Sequence, residues 1–331
     1  MVVKKPLGIA IIGYGMVGKF HHRALQGNEQ FTVTGILNRS PVDPLFPVHQ
    51  YQSYEEVLAD PKVDVVDICL PSKLHAEYGC QAAQAGKHLV VEKPIATSME
   101  DARRLAVTCR EQDVFLAGIF QNRYTPAAAK VKKALEENIL GKIYLGEATV
   151  KWARDAKYYS APGRGTKASD GGGALINQAI HTIDLLLWFL GDVKSVQGIT
   201  RTVRHNIEVE DLAVAIVEFQ SGALGTITGS TALKPGYPER IEIFGEHGSI
   251  AWESGKVVRW DVDGYDKEDY LDTVQVGSGS SDAGGIPLEN HQAQFRAIGE
   301  ALLAGEQPPV AGEKASKALE LILQIYKANE S

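Results

Sequence analysis

Three glycines in the spacing Gly13-x-Gly15-x-x-Gly18 stand between an apolar run, Leu7–Ile12, and an amphipathic run that opens near Lys19. A strand that turns sharply on glycine and enters a helix at once is the opening of a mononucleotide-binding βαβ unit. The first glycine permits the tight turn. The second lets backbone amides approach a pyrophosphate, and the third lets helix and strand pack closely. The helix N-terminus, with Met16 and Val17 in its first turn, adds about half a positive charge where the phosphates would lie. Gly13, Gly15, Met16, Val17 and Gly18 are therefore expected to cradle a dinucleotide.

The rest of the N-terminal part keeps that rhythm. Val33–Leu37, Val65–Leu70, His88–Val91 and Val114–Gly118 read as further strands, and Lys19–Gln26, Leu74–Ala85 and Met99–Gln112 read as helices. Strand–helix alternation of this kind implies a parallel sheet covered on both faces. Val65-Val-Asp-Ile-Cys-Leu70 is nearly all apolar, as a doubly covered strand should be. At the end of the second strand an NAD-selective domain normally carries Asp or Glu to hold the ribose hydroxyls. This chain has Asn38-Arg39-Ser40 instead. No carboxylate there repels a 2′-phosphate, and an arginine pairs with one, so the reading leans to NADP over NAD. Arg39 stacked on adenine would serve either cofactor.

Beyond residue 122 the pattern changes. A helix, Pro126–Glu137, precedes strands with frank alternation: Lys142–Trp152, Val193–Val203, Leu212–Phe219, Ala223–Ser230, Glu239–Phe244 and Ser249–Glu253. Glycine-bearing turns between some of them suit antiparallel hairpins. Leu288–Leu303 and Lys314–Tyr326 are helical in pattern. The expected fold is an α/β Rossmann domain, residues 1–122, followed by an α+β domain, residues 123–331, with a large, mostly antiparallel, open-faced sheet. The C-terminal helix is a candidate to pack back on the Rossmann domain. The free sheet face is a plausible surface for a homodimer or homotetramer.

A length of 331 residues fits two domains. A net charge of −7 argues against nucleic acid as a partner. Cys69, Cys80 and Cys109 are few, odd in number and widely spaced, as expected of reduced thiols in the cytoplasm rather than a disulfide framework. The start mimics a signal peptide with two lysines before an apolar run, but Gly13 and Gly15 break the run and no cleavage site follows. No run of 18 apolar residues suggests a membrane span. Nine histidines show no metal-ligand spacing, so no metal is expected.

Two further segments carry candidate chemistry. Glu92-Lys93-Pro94 follows a strand directly, and a lysine at the carboxyl end of a strand in an open parallel sheet faces the ligand crevice. In Asp170-Gly-Gly-Gly-Ala-Leu-Ile-Asn177-Gln-Ala-Ile-His181-Thr-Ile-Asp184, a helix expected to stop at Gly191 places Asn177, His181 and Asp184 on one stripe. Its other faces are apolar, so a polar stripe on a buried helix needs a reason. A lone histidine there is more often a satisfied core residue.

Taken together these motifs resemble the glucose–fructose oxidoreductase/inositol dehydrogenase (Gfo/Idh/MocA) family over nearly the whole chain. Ala85-Gly-Lys-His-Leu-Val-Val-Glu92-Lys93-Pro94 and His181-x-x-Asp184 in this order are its most specific elements, supported by Pro71-Ser-Lys-Leu-His75 and Asn290-His291-x-x-Gln294-Phe295. The resemblance implies an NAD- or NADP-dependent oxidoreductase acting on a secondary alcohol or ketone of a sugar, sugar nucleotide or cyclitol. It implies catalytic roles for Lys93 and His181, and cofactor contacts from Asn38, Arg39, Ser40, Leu70, Pro71, His75, Glu92, Lys93 and Gln121. Where the family commonly carries Asp four residues before the histidine, this chain has Asn177. An amide cannot take a proton but can hold a hydroxyl or orient an imidazole, so Lys93 and His181 both stand as acid–base candidates.

The loop from Trp152 to Lys167 is rich in cations and aromatics. Arg154, Tyr159 and Arg164 are expected to touch substrate together with Lys93, Asn177 and His181. Two other functions fit the same fold: a silent dinucleotide-binding sensor, which has no need of both Lys93 and His181, and a reductase of a non-sugar carbonyl.

Overall fold

The structure is a computed structural model that describes residues 6–161, 163–272 and 287–329. The lysine-bearing start of the signal-like segment, Met1–Lys5, lies outside the described residues, as does Pro162 of the cationic loop. Two compact units share the chain: 1–121 with 288–316, and 122–287 with 317–331.

The first unit begins β1 (Leu7–Ile12), α1 (Met16–Ala24), β2 (Phe31–Leu37), β3 (His49–Tyr51), α2 (Tyr54–Ala59), β4 (Val65–Ile68), α3 (His75–Gln84), β5 (His88–Val91), α4 (Met99–Glu111) and β6 (Leu116–Gly118). Its six strands run parallel in the order β3-β2-β1-β4-β5-β6. The chain reverses direction from β1 outward, which creates the crevice beyond the strand ends where such sheets bind ligands. Helix starts follow the local chemistry. Ser53 and Ser98 accept the third-residue amides of α2 and α4, with two acidic residues in each first turn. Helix α1 lacks such a side chain: its N-cap is Gly15 and no acidic residue stands in its first turn. The edge strand β3 and the helix α2 were not among the sequence expectations.

In the second unit α5 (Pro126–Glu136) starts on the Thr125 hydroxyl with Pro126 at its first position. Then come β7 (Ile143–Lys151), α6 (Lys167–Asp170), α7 (Ile180–Leu190), β8 (Val193–Arg201), β9 (Leu212–Phe219), β10 (Leu224–Ser230), β11 (Arg240–Gly245), β12 (Gly248–Glu253) and β13 (Lys256–Val262). The sheet order is β13-β12-β11-β7-β10-β9-β8, antiparallel except for the β7–β10 pair. One face is closed by helices: a Cβ on Gly146 would strike Leu190, and one on Gly229 would strike Leu175. The other face carries Ile199, Val214, Ile216 and Leu224 in the open. The helical stretch Lys167–Leu190 is long and apolar enough to cross a bilayer, but 78% of its most apolar window is buried within the protein. It is packed as a core helix.

The last two helices part company. Helix α8 (Leu288–Ala304) puts Phe295, Ile298 and Leu302 into the first unit's core beside Ile9, Ile11, Phe31 and Val90, whereas α9 (Lys317–Ala328) lies in the second unit. Segment 288–316 therefore departs from the linear division at residue 122/123. The physical reason is Phe295: its ring meets Phe31 and His21 edge-on, and its burial contributes roughly 2–3 kcal/mol. Cys69, Cys80 and Cys109 are free thiols.

Candidate active site

The three glycines are each required for a different reason. Gly13 has φ +93°, and a Cβ there would lie 2.7 Å from the Cys69 carbonyl oxygen. A Cβ on Gly18 would lie 2.0 Å from the Gly13 carbonyl oxygen, so the helix could not close on the strand. Nothing stands within 4 Å of a Cβ built on Gly15. That space opens onto an uncapped helix N-terminus, which is what a pyrophosphate needs. The Asn38 side chain braces the turn: its Oδ1 accepts the Tyr14 N–H at 3.0 Å and its amide donates to the Ser40 carbonyl at 2.8 Å. Arg39 and Ser40 are exposed. Gln121 is buried, and its Oε1 has no hydrogen-bond partner among the described residues. A buried amide oxygen without a donor fits a ligand that brings its own donors, as a dinucleotide does.

His75 is fully buried, with Nδ1 2.8 Å from the Pro94 carbonyl oxygen and Nε2 2.7 Å from that of Leu70. Burial pushes its pKa down against those two carbonyls. The ring thus ties the turn after β4 to the turn after β5, and both its nitrogens face backbone. Leu70 is half-buried and Pro71 exposed in that turn.

The second tie at the end of β5 was not foreseen. His21, on α1, is buried, with Nδ1 2.9 Å from Asp67 Oδ2 and Nε2 3.1 Å from Glu92 Oε1. The other oxygen of Glu92 accepts the Lys93 N–H at 3.0 Å. Burial opposes ionisation of Glu92, but the bond to His21, its charge and Lys93 hold the carboxyl down at about 2. Burial likewise opposes the charged His21 ring and is the largest single effect, but Asp67 and Cys69 together leave the pKa well above the usual value. Among the described residues, His21, Glu92 and His291 bring ligand-type atoms within 4.8 Å of one another, as do His21, Asp67 and Cys69. Both nitrogens of His21 already face carboxylate oxygens, so the cluster is read as an ion-pair network rather than a metal centre. Lys93 itself is half-buried.

In the second unit the candidate helix begins as a π-helical turn, Leu175–Ala179, that runs into α7. Its start is capped from a distance. Glu210 accepts the N–H of Gly173 at 2.8 Å, the N–H of Leu175 at 2.9 Å and the Tyr326 hydroxyl at 2.8 Å. The glycine triplet makes room for this: a Cβ on Gly173 would sit 1.8 Å from the Glu210 carbonyl oxygen, and one on Gly172 would sit 2.4 Å from the Tyr326 hydroxyl. From residue 172 to 187 every position is buried except two, Asn177 and His181, which are partly exposed. Asn177 donates back to the Gly172 and Gly173 carbonyls at 3.0 and 3.3 Å. The expected stripe of three holds for these two only. Asp184 is buried and joined to Arg123 by two bonds of 2.7 and 2.6 Å. The π turn lies on the Asn177 side of His181; Asp184 lies beyond it in regular α7, where Arg123 takes up its carboxylate.

The cationic loop folds onto the same helix. Arg154 is buried, with its guanidinium carbon 4.8 Å from the Trp152 ring and 5.4 Å from that of Tyr158. Arg164 is exposed, lies 4.4 Å over the Tyr158 ring and hydrogen-bonds its hydroxyl. That hydroxyl also accepts from Gln178 at 2.6 Å. Tyr159 turns inward, its hydroxyl bonded to Thr231 at 2.7 Å and its ring against His205. Tyr158, not its neighbour, is therefore the residue that links the two arginines to the helix. Lys93 belongs to the first unit, and Arg154, Arg164, Asn177 and His181 to the second.

Two family models match the chain: an oxidoreductase family with an NAD-binding Rossmann fold over residues 7–119, and the GFO/IDH/MocA C-terminal domain over residues 128–251. Myo-inositol 2-dehydrogenase of Thermotoga maritima is 27% identical, the match covering 98% of this chain and 95% of that protein. The scyllo-inositol 2-dehydrogenase (NADP(+)) of Bacillus subtilis is 26% identical, covering 95% and 91%. The WlbA dehydrogenase of Bordetella pertussis, solved with NADH and UDP-GlcNAcA, superposes with a TM-score of 0.87 at 29% identity, covering 98% of this chain and 97% of that one.

Proposed function

Because the chain belongs to the GFO/IDH/MocA oxidoreductase family, we propose that it moves a hydride between a nicotinamide cofactor and a carbinol carbon of a sugar, cyclitol or sugar nucleotide. The observation that carries this reading is the exposure of Asn177 and His181 alone along a helix otherwise buried from residue 172 to 187. A core helix of this kind has no structural use for a partly exposed imidazole beside a partly exposed amide.

The bound nicotinamide supplies or accepts the hydride at carbon. Everything else falls to the protein. In the oxidative direction the His181 imidazole takes the hydroxyl proton as the carbon–hydrogen bond gives up its electron pair and the carbonyl forms. Lys93 supplies a positive charge that stabilises negative charge developing on the substrate. Asn177 orients a neighbouring hydroxyl through its amide. The sum is alcohol plus oxidised cofactor giving ketone, reduced cofactor and one proton.

Gly13, Gly15 and Gly18 with the start of α1 hold the pyrophosphate, and Gln121 offers its free oxygen to the cofactor. Arg39 favours NADP(H): it stands exposed at the ribose position with no carboxylate at Asn38 or Ser40 to oppose a phosphate. Relatives name both cofactors, NADP+ in the Bacillus enzyme and NADH in the Bordetella complex. Arg154 and Arg164, braced on Tyr158, suit a carboxylate or phosphate on the substrate, which favours an acidic sugar or a sugar nucleotide over a plain polyol. Copies of the chain pair through the open sheet face that presents Val214 and Ile216.

Fluorescence titration with NADH and NADPH, then a turnover screen over polyols, uronic acids and sugar nucleotides, tests the reading. Tighter NADPH binding and new absorbance at 340 nm with one sugar class support it. Full turnover in both His181→Ala and Lys93→Ala refutes it, and cofactor binding without turnover across the screen points to a sensor. Sedimentation of Ile216→Asp against wild type tests the sheet interface, with a lighter species expected.

A further inference from the structure

Lys93 leaves β5 immediately after a residue that is anything but ordinary sheet. Glu92 is a buried carboxylate at the end of a parallel strand, and Asp67 is a second one on the neighbouring strand β4. Two carboxylates in a dry core repel each other and lose their water, so an uncompensated pair would not stay ionised. His21 stands between them, Nδ1 toward Asp67 at 2.9 Å and Nε2 toward Glu92 at 3.1 Å. A carboxylate oxygen only accepts, so both contacts are hydrogen bonds only if both ring nitrogens carry protons. His75 also stands between two acceptors, but those are neutral carbonyls; here both are carboxylates, and two negative charges on either side of the ring favour His21 as an imidazolium bridging two anions.

The remaining groups facing the ring agree with that charge. Cys69 Sγ lies 3.2 Å from Nδ1, and burial pushes its thiol up to about 12, so it stays neutral. His291 on α8 has its ring centre 5.7 Å away, and burial with the His21 charge pushes it down to about 3. Phe295 closes the site edge-on at 5.1 Å. One cation thus serves two anions, and Lys93 is the next positive group along the chain.

We propose that His21 is a positioning residue for Lys93: its doubly donating ring clamps Glu92, whose free oxygen holds the Lys93 backbone N–H and fixes the direction in which β5 delivers the lysine. This rests on the reading of Lys93 as catalytic. His21 touches neither substrate nor cofactor; it acts through Glu92. Asp67 keeps the ring turned so that its other nitrogen meets Glu92, in the manner of a carboxylate that orients a histidine.

The test compares His21→Gln, the double variant His21→Gln/Asp67→Asn and wild type. In His21→Gln no cation separates the carboxylates, so one of them keeps its proton near neutrality. Cofactor affinity and sugar KM are expected within about threefold of wild type, because neither ligand meets His21. The kcat is expected to fall about 10- to 100-fold, the range for a catalytic group displaced by about 1 Å. A new ascending limb should enter its pH profile as the trapped proton leaves. Removing the second carboxylate in the double variant lets glutamine donate to Glu92, and should restore at least tenfold of kcat and erase that limb. A folded His21→Gln enzyme with wild-type kcat and an unaltered profile overturns the proposal. Should the variant not fold, histidine-assigned NMR of the wild-type protein decides: an imidazolium signal for His21 persisting at pH 8 supports the clamp, and a neutral ring at pH 7 overturns it. If no sugar is turned over at all, the catalytic reading of Lys93 falls, while the NMR result still stands for or against the bridging cation.

Discussion

Removing the Glu210 carboxylate should loosen the helix that carries His181, and the size of the effect follows from its bonds. Glu210 accepts two backbone N–H groups, of Gly173 and Leu175, and the Tyr326 hydroxyl. Each buried donor left without an acceptor costs about 1–3 kcal/mol, so Glu210→Ala loses about 3–9 kcal/mol in gross terms. Two effects reduce this. Water enters the space vacated, and the folded state no longer holds a carboxylate whose ionisation burial disfavours, pushing its pKa up. The net loss expected is about 3–5 kcal/mol, or roughly 10 °C in the melting temperature of a unit this size. Glu210→Gln keeps one acceptor but turns an amide N–H toward a donor, and should lose about half as much. Function should separate from cofactor binding. NADH or NADPH affinity is expected within twofold of wild type, because the glycine cradle lies in the first unit, while kcat falls more than tenfold as Asn177 and His181 shift. Thermal melts, cofactor titration and steady-state kinetics on both variants check this. A Glu210→Ala protein that melts within 2 °C of wild type and keeps half its kcat would refute the capping argument.

Three other outcomes are expected. Gly15→Ala should melt like wild type yet bind cofactor at least tenfold more weakly, because its Cβ meets only the open cradle, whereas Gly18→Ala should lose both stability and binding through its collision with the Gly13 carbonyl; melts with and without NADPH distinguish them. Asp184→Asn should cost about 3 kcal/mol in urea unfolding, since it leaves the Arg123 guanidinium, side chain 11% exposed, without its carboxylate. The His21–Glu92 pair should bound stability on both sides of pH. The depressed Glu92 contributes fully above its unfolded value of 4.5 and is lost as pH falls toward about 2. The raised His21 contributes fully below 6.5 and is lost as pH rises through its folded value. Melting profiles of Glu92→Gln against wild type should converge at both extremes, and parallel curves throughout would contradict the pairing.

Much of the first sheet is written locally. Runs such as Ile9-Ala-Ile-Ile12 and Val65-Val-Asp-Ile68 are buried on both faces, and the glycine fingerprint needs only neighbouring residues to be recognised. The short edge strand His49–Tyr51 follows a proline-rich stretch and has no apolar run to mark it. At the candidate site the same divide holds. The glycines announce themselves by spacing, and Lys93 and His181 are singled out through the family resemblance. Glu210 caps a helix more than thirty residues before it, and Tyr158 meets Gln178 across twenty residues, so no window of sequence contains either contact. Asp184 misleads because periodicity places it beside His181, while its partner Arg123 lies sixty-one residues away. Asp67 had one usable signal, a carboxylate inside a strand that is otherwise apolar and packed; His21, forty-six positions away on an amphipathic helix, had none.

The wall that helix α8 gives the first sheet has a consequence for synthesis on the ribosome. By residue 121 all six strands of that sheet have been made, but Phe295, Ile298 and Leu302, which close its core over Ile9 and Phe31, have not. At translation rates of about 5–20 residues per second the nascent sheet waits roughly ten to forty seconds for them, with one apolar flank uncovered. A ribosome stalled anywhere between those points holds a chain that a chaperone or a protease should recognise; synthesis past residue 304 closes the first unit's core, while the second still waits for α9. Vectorial folding, domain after domain, is not open to this chain.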